Sequence, residues 1–280
     1  MDLVKRLVVW LLVALPTIGA APARATLIVS EPFDYPPSST LVGRGGGTGF
    51  NGNWVPGGFN AGVNDYSVGN GSLAYQDLAT SGNDVTTGFH NVINGVTRNL
   101  ASIVGGPGTT AYLSFVIRPE GTVGQGAFNG FFGLDVTGAN NNELFIGKPG
   151  SFAINNYVLE QRGGPPAGSQ IASPLQAISG QSALLVVRAD FGTGGTDRFT
   201  LYADPTPGGP EPLAGVVKSD LRLGGFRAVT LYSTGAFSLD EIRIGTTFAD
   251  VTPTAVPEPS SLALVGVGGL LLLARRCLRK

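Results

Sequence analysis

Short apolar runs with two-residue alternation recur along the middle of this chain, and they restrict its fold more than any other feature. Residues 112–117, 130–136, 143–146, 152–159, 184–191, 199–203, 228–232 and 237–244 are rich in Val, Ile, Leu, Phe and Tyr. Gly, Pro, Asn or Asp bounds most of them. Runs of this length and composition read as strands. Leu185, Val187, Ala189 and Phe191 share one face, opposite Arg188 and Asp190. Leu113, Phe115 and Ile117 oppose Ser114 and Arg118. No segment of the middle region carries a sustained helical period with caps; residues 92–103 are the one stretch expected to form a short helix or helical turn. The expectation is an all-β fold, an antiparallel two-sheet sandwich filling residues 26–250 as a single domain.

Composition narrows the function classes. The 43 glycines and 19 prolines punctuate the runs, and 42% of residues are hydrophobic, so the chain can bury a core. The formal net charge is −1 with 13% charged residues, and no basic stripe crosses the middle region. Nucleic-acid binding therefore lacks its electrostatic footprint. The one cysteine, Cys277, is close to the C-terminus, which leaves the body without a disulfide or a thiolate metal site. The one histidine, His90, cannot build a multi-histidine zinc site and is expected in a solvated loop or at a strand end.

The two ends read as addresses. Lys5 and Arg6 precede an apolar stretch at 7–15, broken by Pro16 and Gly19, and Ala23-Arg24-Ala25 offers a small-x-small cleavage site. This is the layout of a secretory signal peptide, residues 1–25, cut before Thr26 or after Ala21. At the other end a linker, 251–256, leads to residues 257–280. Pro257-Glu258-Pro259 is followed by an apolar run at 262–274 and a basic cluster, Arg275, Arg276, Arg279 and Lys280. The prolines keep the tripeptide extended and outside any helix. The apolar run spans roughly 20 Å as a helix, against a bilayer core of about 30 Å; snorkelling basic stems make up part of the difference. The cluster favours a cytoplasmic C-terminus for this single transmembrane helix. The alternatives are a simple tail anchor and a buried core helix.

Pro-Glu-Pro, apolar segment and basic cluster, in that order, resemble the PEP-CTERM sorting signal of Gram-negative bacteria. The resemblance implies an exosortase-type processing enzyme as partner and transient residence in the inner membrane. It implies export to the cell surface or extracellular matrix after processing. A second resemblance runs through the body. Glu31-Pro32-Phe33-Asp34-Tyr35-Pro36, Gly45 to Phe50 with Trp54, and Gly71-Ser72-Leu73-Ala74-Tyr75 begin it. Phe131-Phe132-Gly133-Leu134, Asp197 to Tyr202 and Leu239-Asp240-Glu241-Ile242-Arg243-Ile244-Gly245 continue it. As a group these resemble the LamG-like, concanavalin A-like jelly-roll domains carried by PEP-CTERM proteins of planctomycetes and verrucomicrobia. That likeness implies a jelly-roll fold and a surface setting, and no activity.

The residues offer little catalytic chemistry. Sandwich-fold glycosidases place their carboxylates as Glu-x-Asp-x-x-Glu on one strand, and the body contains no Glu-x-Asp or Asp-x-Asp. Asp240 is expected to face inward with Ile242 and Ile244 and to accept backbone N–H bonds from a neighbouring turn, while Glu241 and Arg243 share the outer face and pair. Calcium is a secondary expectation, with Asn64-Asp65, Asn83-Asp84 and Asn140-Asn141-Asn142 as oxygen donors, although ordinary turns use the same residues. No other cofactor or metal is expected. Trp54, Tyr66 and Tyr157 are the candidates for an aromatic carbohydrate platform, with Trp54 more at home in a core. Gly45 to Gly49 lack the ending of a phosphate loop. The leading expectation is a structural or adhesive, non-catalytic surface protein; the alternative is a carbohydrate-binding module for exopolysaccharide, and the third a divergent glycoside hydrolase.

Overall fold

Fifteen strands make up nearly all the regular structure of the computed structural model, which describes residues 27–150, 154–162 and 169–255. They are β1 (Val29–Glu31), β2 (Phe50–Pro56), β3 (Ser67–Val68), β4 (Val85–Thr87), β5 (Asn94–Val104), β6 (Thr110–Pro119), β7 (Phe132–Gly138) and β8 (Glu143–Lys148). After these come β9 (Asn156–Gln161), β10 (Gln170–Gln176), β11 (Ala183–Asp190), β12 (Asp197–Ala203), β13 (Val216–Leu221), β14 (Phe226–Ser233) and β15 (Phe237–Gly245). All eight runs read as strands from the sequence fall on β6, β7, β8, β9, β11, β12, β14 and β15.

The strands form two antiparallel sheets. One has eight strands in the order β13-β12-β11-β6-β15-β4-β3, with β1 also paired to β15. The other has seven, β10-β9-β8-β7-β14-β5-β2. The chain crosses between sheets repeatedly, as a jelly roll does: β5 and β6 lie in different sheets, and so do β14 and β15. Between the sheets lies the main core, where alternate residues of facing strands meet. Leu113, Phe115 and Ile117 of β6 and Leu185, Val187 and Ala189 of β11 face Leu134 and Val136 of β7 and Val229 and Leu231 of β14. The expected alternation therefore holds, and the whole described core lies within 27–255.

Residues 94–104 are the strand β5, where the sequence suggested a helix. Its apolar alternation is interrupted by Arg98, which points inward because its partner Glu31 is also inside: Arg98 Nη1 lies 2.5 Å from Glu31 Oε2, and both side chains are buried. Glu31 also accepts from Phe33 N, the Tyr35 hydroxyl and Trp54 Nε1. A buried ion pair stays ionised only when its remaining lone pairs are met in this way.

The outer face of the eight-stranded sheet is covered. Leu73, Tyr75 and Leu78 of the 70–82 segment and Phe248 and Val251 of a single helical turn (Phe248–Val251) pack on Tyr112, Val116, Leu184 and Val186. Two buried carboxylates hold this cover. A bulge in β15 sets Asp240 opposite Val116 and Arg243 opposite Ser114, with Glu241 at φ 56°. The extra residue reverses the facing between Leu239 and Ile242. Asp240 therefore lies on the covered outer face, not inward with Ile242 and Ile244. It accepts bonds from Leu73 N at 2.8 Å, Glu241 N at 2.7 Å and the Ser72 hydroxyl, the backbone role expected of it. Glu241 and Arg243 do pair, at 2.7 Å, but beneath the cover and not on an exposed face.

Residues 251–255 do not form a free linker. Val251 and Thr252 are buried, Ala79 N donates to Pro253 O, Ala255 N donates to Asp77 O, and Leu78 bridges Thr254. The signal peptide, Pro257-Glu258-Pro259, the apolar run and the basic cluster lie outside the described residues. Among the described residues, no helix is long and apolar enough to cross a membrane.

Candidate functional site

The three aromatic residues expected to contact sugar all sit inside the molecule. Trp54 is buried, stacked 6.0 Å from Phe33 and bonded through Nε1 to Glu31. Tyr66 packs edge-on against Phe237, and its hydroxyl lies 2.8 Å from Ser233 Oγ. Tyr157 faces the main core with Leu159. Each ring is at most 1% exposed, so none presents a stacking surface. His90 follows β4 in a turn, with Nε2 3.2 Å from Asp65 Oδ1 and 3.2 Å from Thr87 Oγ1. The polar loops use their side chains in turns. Asn83 Oδ1 accepts from Gly71 N, and Asn140 and Asn142 both donate to Arg222 O.

What the sequence did not reveal is an open groove on the outer face of the seven-stranded sheet. Its volume is about 690 Å³. Strand register builds the layer beneath it, from which Glu143 and Glu160 reach its lining. Thr230 of β14, Asp135 of β7, Phe145 of β8 and Glu160 of β9 stand in one cross-strand row, and Glu143 stands two residues along β8. In a neighbouring row, Gly133 and Gly147 face each other across β7 and β8. A Cβ on either would strike the other strand's backbone and the Phe145 ring, so both positions require glycine for the ring to lie flat across the strands.

Arg162, just beyond β9, extends over this floor. Its guanidinium carbon lies 3.7 Å from the centroid of Phe145, 4.5 Å from Phe131 and 5.0 Å from Tyr232. Nε is 3.4 Å from Glu160 Oε1. Beneath it Asp135 is buried, and its Oδ1 has no hydrogen-bond partner among the described residues. Burial pushes the Asp135 carboxyl up to about 7, with Arg162 opposing and Glu143 and Glu160 adding to the rise. Burial also raises Glu143 and Glu160, again opposed by Arg162.

Two loops raise exposed aromatic rings at the rim. Phe59 is 71% exposed and Phe128 60%. Tyr232 donates its hydroxyl to Phe59 O and so ties the first loop to the floor. The second loop is a tight turn in which Phe128 and Asn129 take φ of 50° and 54°. Ala127 N donates to His90 O at 2.9 Å, which fixes the turn against its neighbour. A bulky residue in the left-handed region is an outlier that surrounding structure must enforce. Here the enforced conformation holds a large apolar ring out into water. The signals for this site were an outward Asp in the apolar run of β7 and two loop phenylalanines; only strand register brings them together.

No curated protein matches this sequence. Among solved structures, the chain is similar to an endo-1,3-beta-glucanase from Streptomyces sioyaensis, at 10% identity and TM-score 0.47, covering 81% of this chain and 98% of that one. It is also similar to an endo-beta-1,4-glucuronan lyase from Trichoderma reesei, at 14% identity and TM-score 0.43, covering 72% and 98%. A third is the carbohydrate recognition domain of Emp46p, at 10% identity and TM-score 0.41, covering 65% and 88%. At the C-terminus, residues 255–280 match the PEP-CTERM protein-sorting motif, which marks the chain for export, exosortase recognition and sorting to the surface.

Proposed function

We propose that the exported body is a non-catalytic glycan-binding module that holds exopolysaccharide at the cell surface. The observation that carries this reading is the groove over the seven-stranded sheet, where the exposed rings of Phe59 and Phe128 flank a polar floor. Sugars are bound by apolar ring faces beside a few placed polar groups. The groove favours this role over a purely structural one. In this reading the C-terminal segment holds the chain in the inner membrane until the exosortase cuts near Pro257-Glu258-Pro259.

The test is a glycan array probed with the 26–256 fragment, which contains the whole described core. Binding to at least one polysaccharide, reduced about tenfold or more by Phe59→Ala and by Phe128→Ala, is the expected result, each tenfold step being about 1.4 kcal/mol. Absence of binding to every glycan, or binding indifferent to both substitutions, removes the reading.

A further inference from the structure

We infer that the body holds back its own sorting: the clasp formed by residues 253–255 opens before the processing enzyme can grip the chain ahead of Pro257-Glu258-Pro259. This rests on the reading that the exosortase cuts near that tripeptide. Distance along the chain carries the inference. The matched sorting motif begins at residue 255, and Ala255 is still part of the fold. Its N–H donates to Asp77 O at 3.0 Å, Ala79 N donates to Pro253 O at 2.8 Å, and Thr254 pairs with Leu78 between them. A tie to the body therefore lies only two residues before Pro257. An enzyme that cuts a peptide bond has to hold several residues extended on each side of it, and nicking concentrates where the chain is not tied down. With the clasp shut, residues 253–255 are committed to the body instead.

The clasp can open without the rest of the fold. Thr254 and Ala255 are exposed, so its bonds open into water at little cost in apolar burial. Inward of it the chain is firmly held. Val251 and Thr252 are buried, Gly208 N donates to Thr252 O, and the Ser114 hydroxyl donates to Val251 O, both at 2.7 Å. Opening therefore stops at residue 252 and leaves the core intact. It releases residues 253–255, about 10 Å of extended chain. The connection from the body to the apolar run at 262 lengthens from about 24 Å at most to about 34 Å. Cutting follows the population of the opened state when opening and closing outpace it. The clasp thus sets the rate at which the chain becomes available, and takes no part in breaking the bond.

The experiment follows the full chain in cells that carry the exosortase, with cut and uncut fractions read over time by intact mass. The unsubstituted protein is compared with a flexible Gly-Ser insertion of about six residues between Ala255 and Val256, with Ala79→Pro, and with the two combined. The insertion supplies slack while the clasp stays shut. Ala79→Pro removes the N–H that holds Pro253 O. Each alone should speed processing at least about threefold, the scale on which one exposed hydrogen bond biases a local opening. Combined, they should be no faster than the insertion alone, because slack makes the clasp irrelevant. The same insertion between Gly194 and Gly195, exposed in the loop between β11 and β12, should leave the rate unchanged. Where Ala79→Pro prevents export, the two insertions decide by themselves. Unchanged or slower processing after the insertion at 255, an equal gain from the insertion at 194, or gains that multiply in the combined chain overturns the clasp inference and spares the reading that the enzyme cuts near the tripeptide. Absence of any cut chain, the unsubstituted protein included, overturns both.

Discussion

On the outer face of the eight-stranded sheet, Asp240 and Glu241 lie beneath the 70–82 segment, and all four carboxylate oxygens accept hydrogen bonds. Tyr75 and Leu78 close over them at 7% and 5% exposure. On the outer face of the seven-stranded sheet, Asp135 is buried too, yet Oδ1 has no described partner, and the nearby Phe59 and Phe128 stand out in water. Both faces use the same parts: carboxylates, an arginine, aromatic rings. On the first face the chain itself meets every oxygen of these carboxylates, and the group left without a described partner is a donor, Arg243 Nη1. On the second the unmet groups are an acceptor, Asp135 Oδ1, and a donor, Arg162 Nε. Buried polar groups left unmet call for an explanation, and on the open face the proposed glycan would supply it.

The contrast can be broken first on the covered face. Glu241→Ala leaves Arg243 buried without its carboxylate and Ser81 N without its acceptor. Removing one partner of a buried pair costs about 3–5 kcal/mol, and denaturant unfolding should show a loss of that size. A loss below about 1 kcal/mol, the scale of an exposed pair, would mean that the cover is not held by these carboxylates.

The open face should respond in the opposite direction. The folded Asp135 carboxyl titrates near 7 against an ordinary 3.8, because burial disfavours its charged form. The native state therefore keeps a proton that the unfolded chain gives up. The unfavourable contribution begins above the ordinary value, grows as pH rises, and is complete above about pH 7. Asp135→Asn should be close to neutral below pH 4 and stabilising by up to about 4 kcal/mol at pH 8, taking 1.36 kcal/mol per pH unit. Asp240 on the covered face cannot serve as a control, because burial raises its carboxyl too, to about 8. Unfolding curves for Asp135→Asn and the unsubstituted protein at pH 4 and pH 8 check the prediction, and a variant no more stable than its parent at pH 8 would overturn it.

The smallest stability change is expected at the rim. Phe128→Gly relieves a left-handed residue, worth about 1 kcal/mol, and adds chain entropy to the unfolded state, worth about 0.5–1 kcal/mol in the other direction. Stability should move by no more than about 0.5 kcal/mol, while affinity for the bound glycan falls by an order of magnitude. A large loss of stability would make the ring a structural prop.

The core is largely legible in the amino-acid sequence, because alternation is local. Leu185, Val187 and Ala189 reveal their facing within a single strand. β5 is not legible in the same way: the inward Arg98 breaks the pattern, and the reason for it, Glu31, lies 67 positions away. The bulge at Glu241 hides the true facing of Asp240 for a related reason, since one added residue reverses everything beyond it. Trp54, Tyr66 and Tyr157 draw attention by type, and the core claims them. The groove is hidden because Asp135, Glu143, Glu160 and Arg162 become neighbours only through the pairing of β7, β8 and β9.

The clasp at residues 253–255 has a mechanical meaning. These residues are stitched to Asp77, Leu78 and Ala79 immediately before the sorting motif. While the chain is tethered through its C-terminus, tension enters the fold there, where Ala79 N holds Pro253 O and Ala255 N holds Asp77 O. The next ties inward are the bond from Gly208 N to Thr252 O and then that from the Ser114 hydroxyl to Val251 O, both 2.7 Å. All of this belongs to the eight-stranded side. The groove is on the opposite sheet, so a pull on the tether strains the back of the molecule first and leaves the front in shape.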